Sequence, residues 1–562
     1  MKHPNTYTLP EILQNSVNTY GDKIAYSYTD GSSVTYRQLG DYSRAVSRYL
    51  QTHHIQAGDK VALIGENMPN WGVCYYAIAQ MGAVVVPILV DFSPVEINSV
   101  LVHSEAKALI ASDKVFSKID GKLRFDGLRL SMNRLQNAST HEQILVDAYR
   151  NAEAMLPNVA ESDLACIIYT SGTTGRSKGV MLSHKNLVWD AVMCRTLYPV
   201  SDQDVYLSVL PLAHTYECTL SLILGTMQGA SVHYIDKPPT ANVLMPLLKK
   251  IQPTMMLTVP LIIEKIFKIG IKPKLNKSPL TRFFYRIPAT RFLLHRVAGK
   301  TLKRMFGGNL RFFGIGGAAV APEVERFLRD ARFPYSCGYG LTETSPMICG
   351  APVEKTLYRS VGPAMAGIEY KLIDIRPETG EGEYVVRGPN VMQGYYKDPE
   401  TTASVLSPDG WFRTGDLGVL DSKGNLTLKG RSKNMILGAS GENIYPEEIE
   451  AIINEMEGVV ESVVYEQKGR LMASVYLNQE EFSKRYQELK SSAHNYQEEV
   501  FSKMETYLKE LKDRVNQSVS KASQLADVHL RKEPFEKTAT QKIKRFLVNK
   551  EEDKEETKKG SS

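Results

Sequence analysis

The sequence predicts an α/β protein with a large N-terminal domain of stacked α/β subdomains, a small β-barrel-like subdomain and a smaller α+β C-terminal domain. Two patterns predict this class. Up to about residue 350, short runs rich in β-branched residues alternate with helical segments, which is typical of parallel strands covered by helices on both faces. Between residues 354 and 430, short alternating strands separated by Gly and Pro indicate an antiparallel sheet.

Each predicted element follows from a local pattern. In the first half, residues 71–80 form the expected helix, and the expected strands are VALIGE, VVVPIL, ALIAS and ACIIYT. Residues 74–90 are apolar, but they are shorter than the roughly 20 residues of a membrane span and contain Gln80 and Pro87. A buried helix followed by a buried strand is therefore expected there. In the antiparallel region the expected strands are EYKLIDI, EGEYVVRG and NLTLKG.

The region after Arg431 combines the expected strands VVESVVYEQ and LMASVYL with a charged stretch, residues 480–524. Apolar residues recur in that stretch at helical spacing, namely Val500, Met504, Tyr507, Leu511 and Val515. They predict a helix that packs on its own domain rather than on a partner or a membrane. The expected domains are 1–431, divided near residue 350, a hinge at 432–433, a C-terminal domain over 434–550 and a disordered tail over 551–562.

Composition narrows the range of functions. Of the 562 residues, 43% are apolar and 23% are charged, which is ordinary for a globular protein and excludes global disorder. Lys and Arg exceed Asp and Glu by 68 to 62, and the resulting net charge of +6 does not favour a nucleic-acid partner. Six cysteines without a CxxC pair indicate reduced thiols, with neither disulfides nor structural zinc. The first residues lack the apolar run of a signal peptide, so the cytoplasm is the expected location.

A glycine-rich loop is the strongest chemical signal. Residues 171–179, SGTTGRSKG, follow an apolar strand and combine three glycines with four hydroxyl side chains, Arg176 and Lys178. Glycines let backbone N–H groups close around an anion, and the two cations balance phosphate charge, so a nucleoside triphosphate is the expected ligand. The loop is not a Walker A motif, because neither Gly172 nor Gly175 has Gly-Lys-Ser/Thr at the required distance. A mobile surface loop without a ligand is the alternative.

The longer string YTSGTTGRSKGVMLSH, residues 169–184, resembles the signature of the adenylate-forming superfamily, which includes acyl-CoA synthetases, nonribosomal-peptide adenylation domains and luciferases. Further family motifs follow in order from Tyr36 to Arg545. The resemblance implies the acyl-CoA synthetase/luciferase-like fold with a mobile C-terminal domain. It also implies catalytic roles for Thr173 and Lys178, and contacts to ATP and AMP from Thr170, Ser171, Gly172, Thr173, Thr174, Gly175 and Lys178.

Two further glycine-rich strings lie beside the nucleotide in the family. GIGGAAV, residues 314–320, fits the pattern Gly-x-Gly-x-x-Ala, but no acidic residue follows about twenty positions on, so hydride chemistry is disfavoured. The resemblance instead implies that the adenine and acyl pockets are lined by Gly316, Gly317 and Ala318. In GYGLTETSP, Tyr339 can stack on adenine and Thr342 can bond a phosphate oxygen. The implied nucleotide contacts in this string are Gly338, Tyr339, Gly340, Leu341 and Thr342, and the implied Mg²⁺ contacts are Thr173 and Glu343.

Three more residues match family positions around the ribose and the acid. Asp416, in WFRTGDLG, matches the residue that accepts hydrogen bonds from the two ribose hydroxyls. Arg431 matches an arginine that reaches the ribose and the phosphate. His214, in LPLAHTYE, matches a residue between the acyl carboxylate and the nucleotide, and packing is its alternative role.

The C-terminal domain contains residues that the resemblance assigns to a change between two half-reactions. Lys433 matches the family hinge position. The loop that closes the pantetheine tunnel of coenzyme A is matched by Gly438, Gly441 and Glu442. Lys542, in PFEKTATQKIKRF, matches the catalytic lysine whose ammonium lies between the carboxylate and the α-phosphate. Gln541 stands where the family usually has Gly.

The resemblance implies an enzyme that activates a carboxylate with MgATP, releases pyrophosphate and transfers the acyl group from acyl-AMP to coenzyme A. TVPLIIEKIFK resembles long-chain fatty acyl-CoA synthetases, and the apolar residues 218–235 and 253–269 form either an acyl tunnel or core. The alternatives are a fatty acyl-AMP ligase that loads a carrier protein, a ligase for medium-chain or aryl acids, and an inactive lipid-binding protein. Homodimerisation and peripheral membrane contact are further expectations, the latter through Ile263, Phe284, Tyr285 and the basic residues 272–296.

Overall fold

The structure is a computed structural model, and the residues it describes fall in several ranges. These are 4–29, 31–144, 156–171, 177–235, 237, 239–275, 278–437, 443–467, 469–478, 496–538, 543–545 and 547–548. Within them every helix is too short or too polar to cross a lipid bilayer.

The described strands fall where β-branched and aromatic residues cluster between turns. In chain order they are β1 (Ile24–Tyr28), β2 (Ser33–Thr35), β3 (Lys60–Ile64), β4 (Val84–Ile88), β5 (Ala106–Ala111), β6 (Leu128–Ser131), β7 (Gln136–Asn137), β8 (Leu164–Ser171), β9 (Ser177–Ser183), β10 (Val205–Ser208), β11 (Ser231–Tyr234), β12 (Met255–Thr258), β13 (Phe312–Ile315), β14 (Tyr335–Cys337), β15 (Tyr339–Gly340), β16 (Met347–Cys349), β17 (Glu369–Ile373), β18 (Gly382–Arg387), β19 (Gly394–Tyr395), β20 (Phe412–Leu420), β21 (Leu426–Arg431), β22 (Ile436–Leu437), β23 (Asn443–Ile444), β24 (Val459–Gln467), β25 (Arg470–Leu477) and β26 (Asp527–Arg531).

Many helices begin with Pro in the first turn or with a Ser or Thr cap, as for Thr35, Ser93 and Ser183. The described α-helices are α1 (Leu9–Tyr20), α2 (Tyr36–Thr52), α3 (Pro69–Gln80), α4 (Pro94–Ser104), α5 (Asp113–Ile119), α6 (His184–Leu197), α7 (Thr215–Glu217), α8 (Leu224–Gln228), α9 (Ala241–Ile251), α10 (Pro260–Lys265), α11 (Lys272–Leu275), α12 (Pro279–Arg286), α13 (Pro288–Met305), α14 (Pro322–Asp330), α15 (Pro399–Val405), α16 (Pro446–Glu455) and α17 (Tyr496–Ser518). π-Helical turns cover Cys218–Ile223 and Ile266–Ile271, and 3₁₀ turns cover Thr342–Thr344, Val353–Lys355 and Lys521–Ser523.

Two large sheets dominate the first 350 residues. One has the order β19-β9-β8-β4-β3-β5-β6-β7, and its inner neighbours are parallel while β7, β9 and β19 pair antiparallel at its edges. The other has the order β14-β13-β12-β10-β11-β1-β2 and is parallel except for β2. Strands β4, β12 and β13 are buried throughout, because helices cover both faces of each sheet. The predicted α/β class is confirmed.

The remaining sheets are smaller and mainly antiparallel. β17, β18, β20 and β21 form a four-stranded antiparallel sheet, which contains the three strands expected there from the sequence. In the C-terminal unit β24 pairs antiparallel with β25, and β26 adds a parallel strand. Helices α16 and α17 pack with this sheet around a separate apolar core.

Several local expectations can be compared with the structure. Residues 74–90 contain the end of the buried α3 and all of the buried β4, as expected. In α17 the buried apolar residues include Leu508, which was not among the residues expected from helical spacing, while the side chain of Val500 lies outside the description. The expectation that Ile263 lies at an exposed edge is wrong, because its side chain is fully buried in the core beneath helices α10 to α14.

Candidate active site

Two glycine-rich turns lie at one edge of the seven-stranded sheet. β13 and β14 are parallel neighbours with Ile315 opposite Cys337, so their carboxyl ends lie side by side. Gly316, Gly317 and Ala318 follow the first strand, and Gly338 follows the second. Gly317 has a φ of +84°, a conformation that favours glycine. This is the edge at which parallel α/β sheets commonly bind ligands.

The second turn continues into a tightly packed loop. A Cβ on Gly340 would lie only 1.8 Å from the carbonyl oxygen of Pro346, so a side chain cannot be accommodated there without movement of the backbone. The buried Asn390 amide donates to the carbonyl oxygens of Thr344, at 3.0 Å, and Met347, at 2.7 Å. These contacts hold the 3₁₀ turn that contains Thr342 and Glu343.

Asp416 and Arg431 form an ion pair next to this loop. They are cross-strand neighbours on β20 and β21, and Arg431 Nε donates to Asp416 Oδ1 at 2.8 Å. The Tyr339 hydroxyl donates to the other carboxylate oxygen at 2.6 Å, which ties the loop to the small sheet. Burial raises the pKa of Tyr339, and the Asp416 charge raises it further, so the phenol keeps its proton. Burial alone would lower the pKa of Arg431, but the charge of Asp416 leaves it raised.

Glu343 belongs to a second polar group on the same loop. The Tyr395 hydroxyl donates to Glu343 Oε1 at 2.9 Å, and burial together with the Glu343 charge raises the pKa of Tyr395. The ammonium of Lys178 lies 4.9 Å from the centroid of the Tyr395 ring, which is cation–π distance. Lys178 is in β9, which pairs with the strand that contains Tyr395. The phosphate-loop lysine and the predicted metal ligand are therefore joined through one tyrosine.

The two ends of the phosphate loop are described. β8 and β9 form an antiparallel pair in which Thr170 faces Lys178 and Ser171 faces Ser177. The hairpin brings these strands to the same sheet as β19. Five residues of the predicted loop lie outside the described residues, namely Gly172, Thr173, Thr174, Gly175 and Arg176.

His214 caps the short helix α7. Its Nδ1 accepts a hydrogen bond from the backbone N–H of Tyr216 at 3.2 Å. Because Nδ1 provides a lone pair, the neutral ring carries its proton on Nε2 and can donate from that atom. Three residues after His214, Glu217 is fully buried, and burial raises its pKa to about 8.

A small apolar pocket lies below the edge of the seven-stranded sheet. Its enclosed free space is about 20 Å³, and its wall includes Leu220 and Leu257, which belong to the segments that the sequence predicted to be either acyl tunnel or core. A Cβ on Gly314 would lie 2.8 Å from the Tyr216 hydroxyl, so this glycine keeps the pocket open. Tyr198 and Phe312 stack with ring centroids 4.0 Å apart. The wall includes Tyr198, Tyr216, Leu220, Leu257, Phe312 and Met347.

The predicted hinge lies in a turn directly after β21. The backbone N–H of Ser432 donates to Gly415, and that of Asn434 donates to Arg431, so Lys433 lies within a turn. Beyond it, the terminal motif is tied to its own unit by Arg545, whose Nη1 donates to the buried Glu450 at 2.7 Å. The remaining predicted site residues of this region lie outside the described residues, namely Gly438, Gly441, Glu442 and Lys542.

The structure thus brings together residues from distant parts of the chain. Tyr395 and Tyr216 are members of the site that the sequence motifs did not single out. Tyr216 could have been found from the sequence, because it lies in the same motif as His214. Tyr395 follows a glycine but belongs to no motif that would identify it. Among the described residues no cluster of three or more His, Cys, Asp or Glu side chains could hold a metal ion. A single carboxylate completed by phosphate oxygens is the arrangement that Mg²⁺ favours.

The family model described as AMP-binding enzyme matches residues 13–396, and the chain belongs to this family. It is an adenylate-forming acyl- or aryl-CoA ligase, and such ligases use ATP, Mg²⁺ and coenzyme A, as predicted.

The chain is similar to two proteins of Arabidopsis thaliana. It is 30% identical to long chain acyl-CoA synthetase 7, peroxisomal, over 82% of this chain and 72% of that protein. It is 28% identical to the chloroplastic long-chain-fatty-acid–[acyl-carrier-protein] ligase AEE15, over 85% of this chain and 77% of that protein. The resemblance to acyl-activating ligases is therefore confirmed, while the cytoplasmic location stays a prediction.

Solved structures share the fold. A benzoate CoA ligase from Burkholderia xenovorans superposes with a TM-score of 0.76 at 22% identity, covering 96% of this chain and 99% of that one. ATP-bound MatB from Rhodopseudomonas palustris superposes with a TM-score of 0.74 at 24% identity, covering 97% and 98%. The predicted acyl-CoA synthetase-like fold is confirmed.

Proposed function

We propose that the protein converts a long-chain fatty acid and ATP to acyl-AMP and pyrophosphate, and then transfers the acyl group to coenzyme A. One observation carries the proposal: the apolar pocket has Gly338 in its wall, and the next residue, Tyr339, belongs to the network with Asp416 and Arg431. An acid held in the pocket would present its carboxylate to a nucleotide held by the network.

The polar network suits a nucleoside monophosphate unit. Asp416 is buried and paired with a guanidinium, and carboxylate oxygens are the acceptors that ribose hydroxyls require. Arg431 adds a positive charge that is already oriented by the pair. Because both groups are held in place before the ligand arrives, little conformational entropy is lost on binding.

The residues present also fit a magnesium ion bound together with ATP. Glu343 has a carboxylate that Tyr395 orients, and Thr173 is the second proposed ligand. When bound, Mg²⁺ would neutralise charge on the phosphates of ATP. Lys178, on the strand after the phosphate loop, adds a further cation, and the Nε2 proton of His214 can orient an oxygen of the acid.

Relatives favour a fatty acid as the substrate. Both Arabidopsis proteins are named for long-chain acyl substrates. The pocket is apolar along most of its wall, and its enclosed free space, about 20 Å³, has room for little more than a water molecule. A long chain would therefore require flexible side chains such as Met347 and Leu220 to move aside.

The second half-reaction is assigned to the C-terminal unit. We propose that Lys433 is the hinge, that Gly438, Gly441 and Glu442 contact coenzyme A, and that Lys542 acts in adenylation. The Arg545–Glu450 pair would keep the terminal motif attached to its unit while that unit turns.

The deciding experiment measures pyrophosphate and thioester in parallel with a panel of acids from short to long. Coenzyme A or an acyl-carrier protein is supplied as the acceptor. Thioester formed from long acids and coenzyme A supports the proposal. Thioester formed only on the carrier protein supports the second candidate, which the similarity to the carrier-protein ligase favours. Absence of pyrophosphate with every acid contradicts both.

Two matched variants test the role of Lys542. Lys542→Ala should lower pyrophosphate release by about 100-fold or more, because one preorganised charge is removed from the reacting phosphate. Lys544→Ala changes a lysine two positions away that pairs with Glu536 at 3.7 Å, and should leave the rate unchanged. Equal effects of the two substitutions would contradict the assignment.

Pocket depth is tested by adding one methyl group. In Gly314→Ala the new Cβ lies 2.8 Å from the Tyr216 hydroxyl and 2.9 Å from the Phe312 ring. The increase in KM should therefore be about 10-fold larger for long acids than for short acids. Gly225→Ala is the control, since its Cβ meets only Val232 within 3.4 Å. A KM change that is the same for all chain lengths would exclude this pocket as the acyl site.

A further inference from the structure

Helices α12 and α13 present large apolar side chains to solvent. We call this surface the basic apolar face. Phe283 is 59% exposed, Leu293 is 61% exposed, and α12 buries none of its eight residues. Isolated exposed apolar residues are common on proteins, but a contiguous group of this kind marks an interaction surface. The face consists of Leu280, Phe283, Phe284, Phe292, Leu293 and Val297.

The spacing of these residues places them in one stripe on each helix. Leu280, Phe283 and Phe284 are three and four positions apart, so they share one side of α12. On α13, Leu293 and Val297 are four positions apart and share one side, and Phe292 is next to Leu293. Each helix therefore has an apolar stripe that faces solvent, while other side chains, such as Leu302 of α13, pack into the core.

The charge of this region is unusual for the chain. Residues 265–304 contain twelve Lys and Arg and no Asp or Glu, while the whole chain has a net charge of +6. The other residues therefore sum to −6, so the positive charge of the protein is concentrated in this segment. Arg282 and Arg286 alternate with the exposed phenylalanines. Apolar side chains within a field of cations are typical of surfaces that bind anionic lipid.

The two helices are firmly attached to the domain. His295 in α13 is buried and bonds Asp330 Oδ2 through Nδ1 at 2.8 Å and the Tyr285 hydroxyl through Nε2 at 3.2 Å. A Cβ on Gly299 would lie 2.5 Å from Cβ of Ala331, so α13 approaches the end of α14 closely. The exposed side chains thus stand on a rigid base and are not the product of a frayed segment.

We propose that the basic apolar face docks the protein onto the surface of an anionic lipid bilayer. The phenylalanines and leucines enter the boundary between headgroups and acyl chains, and the surrounding lysines and arginines pair with lipid phosphates. A nucleic acid would use the cations but offers no medium for six apolar side chains. A second copy of the chain would bring two strongly positive faces together, which charge repulsion disfavours.

The test is co-sedimentation of the full chain with vesicles. Vesicles that contain phosphatidylglycerol should bind the protein, pure phosphatidylcholine vesicles should bind it at least about 10-fold more weakly, and added salt should reduce the binding. Binding that is equal for the two lipids, or absent at low salt, overturns the proposal.

Two double variants separate the apolar and charged contributions. The double variant Arg282→Gln with Arg286→Gln should lower the vesicle partition coefficient by about 25-fold, which is about fivefold for each cation removed. Phe283→Ser with Leu293→Ser should weaken it by about 10-fold or more. The midpoint of thermal unfolding should not change for either, because all four side chains are exposed.

Matched controls lie on a different part of the surface. Val95 and Val102 in α4 are 77% and 70% exposed, and Val95→Ser with Val102→Ser should bind vesicles as the parent protein does. Lys122→Gln with Arg124→Gln is the charge control. If these control variants lose as much vesicle binding as the variants of the face, the proposal is overturned. Light scattering provides a further test. If the parent protein is a dimer and Phe283→Ser with Leu293→Ser makes it a monomer, the face binds a second copy and the proposal is overturned.

Discussion

The glycine-rich edge of the candidate site and the basic apolar face belong to the same seven-stranded half of the molecule, but they are built in opposite ways. At the edge, polar side chains are tied to one another, as in the Tyr339–Asp416–Arg431 network. On the face, apolar side chains are left in solvent although a buried layer lies directly beneath them. The edge is arranged before its ligand arrives, whereas the face is stable without one. Substitutions at the two places should therefore have different consequences.

The largest difference is expected between the face and the core beneath it. Phe327 in α14 is fully buried, with its ring centroid 5.0 Å from that of Phe267. Phe327→Ala should lower the free energy of unfolding by about 3–5 kcal/mol, because a cavity remains. Phe283→Ala should change it by less than about 0.5 kcal/mol. Denaturant titration of both variants provides the measurement, and similar losses would show that the face is part of the folded core.

A second comparison uses one glycine of the edge and one glycine of the π-helical turn that precedes the face. Gly340→Ala places a Cβ 1.8 Å from the Pro346 carbonyl, so the loop must shift at a cost of about 2 kcal/mol and nucleotide affinity should fall with it. Gly270 lies in the π-helical turn between α10 and α11, and a Cβ added there would point into open space among the described residues, so Gly270→Ala should be close to neutral. Thermal unfolding and ATP titration report the two effects. A neutral Gly340→Ala would mean that the loop is not held rigidly.

The third comparison concerns two ion pairs of the small sheet. Asp416→Asn leaves Arg431 without its charged partner and should cost about 2 kcal/mol of stability as well as most of the nucleotide affinity. Glu369→Gln breaks the exposed Arg387–Glu369 pair of the same sheet and should cost less than about 1 kcal/mol. Isothermal titration with AMP separates binding from folding. Unchanged AMP affinity in Asp416→Asn would remove this residue from the ribose site.

The last prediction concerns the dependence of stability on pH. Burial raises the pKa of Glu217 to about 8 in the folded protein, from about 4.5 when unfolded. The native state therefore holds a proton that the unfolded state releases, so this contribution is complete below about pH 4.5 and is lost as pH rises towards 8. The slope is at most about 1.4 kcal/mol per pH unit. In urea titrations at several pH values, Glu217→Gln should reduce the pH dependence of the free energy of unfolding. Substitution of the exposed Glu354, in Glu354→Gln, should leave that pH dependence unchanged.

Much of the fold was predictable because hydrophobic periodicity is a local property. The buried helix and strand around residue 80, the antiparallel strands after residue 368 and the C-terminal strands all follow from runs of side chains that must avoid water. Ile263 is the clearest error. Its neighbours are basic and apolar in a pattern that suits an exposed edge, but the neighbouring helices cover that side chain.

The site could be predicted only in part. Glycine-rich strings and isolated residues such as Asp416 were identifiable, because their chemistry is carried by the residue type and the order of motifs. Tyr395 was not, since its importance comes from lying between Glu343 and Lys178, which are far from it in sequence. The buried state of Glu217 was likewise inaccessible, because exposure depends on elements packed from elsewhere.

By itself, the sequence determined the α/β class and the positions of most strands and helices. These depend on patterns within a few turns of chain, where covalent spacing decides which side chains share a face. Only the tertiary structure decided that Tyr339 bonds Asp416, that Tyr395 joins Glu343 to Lys178 and that the apolar sides of α12 and α13 face solvent. These contacts depend on how distant elements pack, and no local spacing specifies that packing.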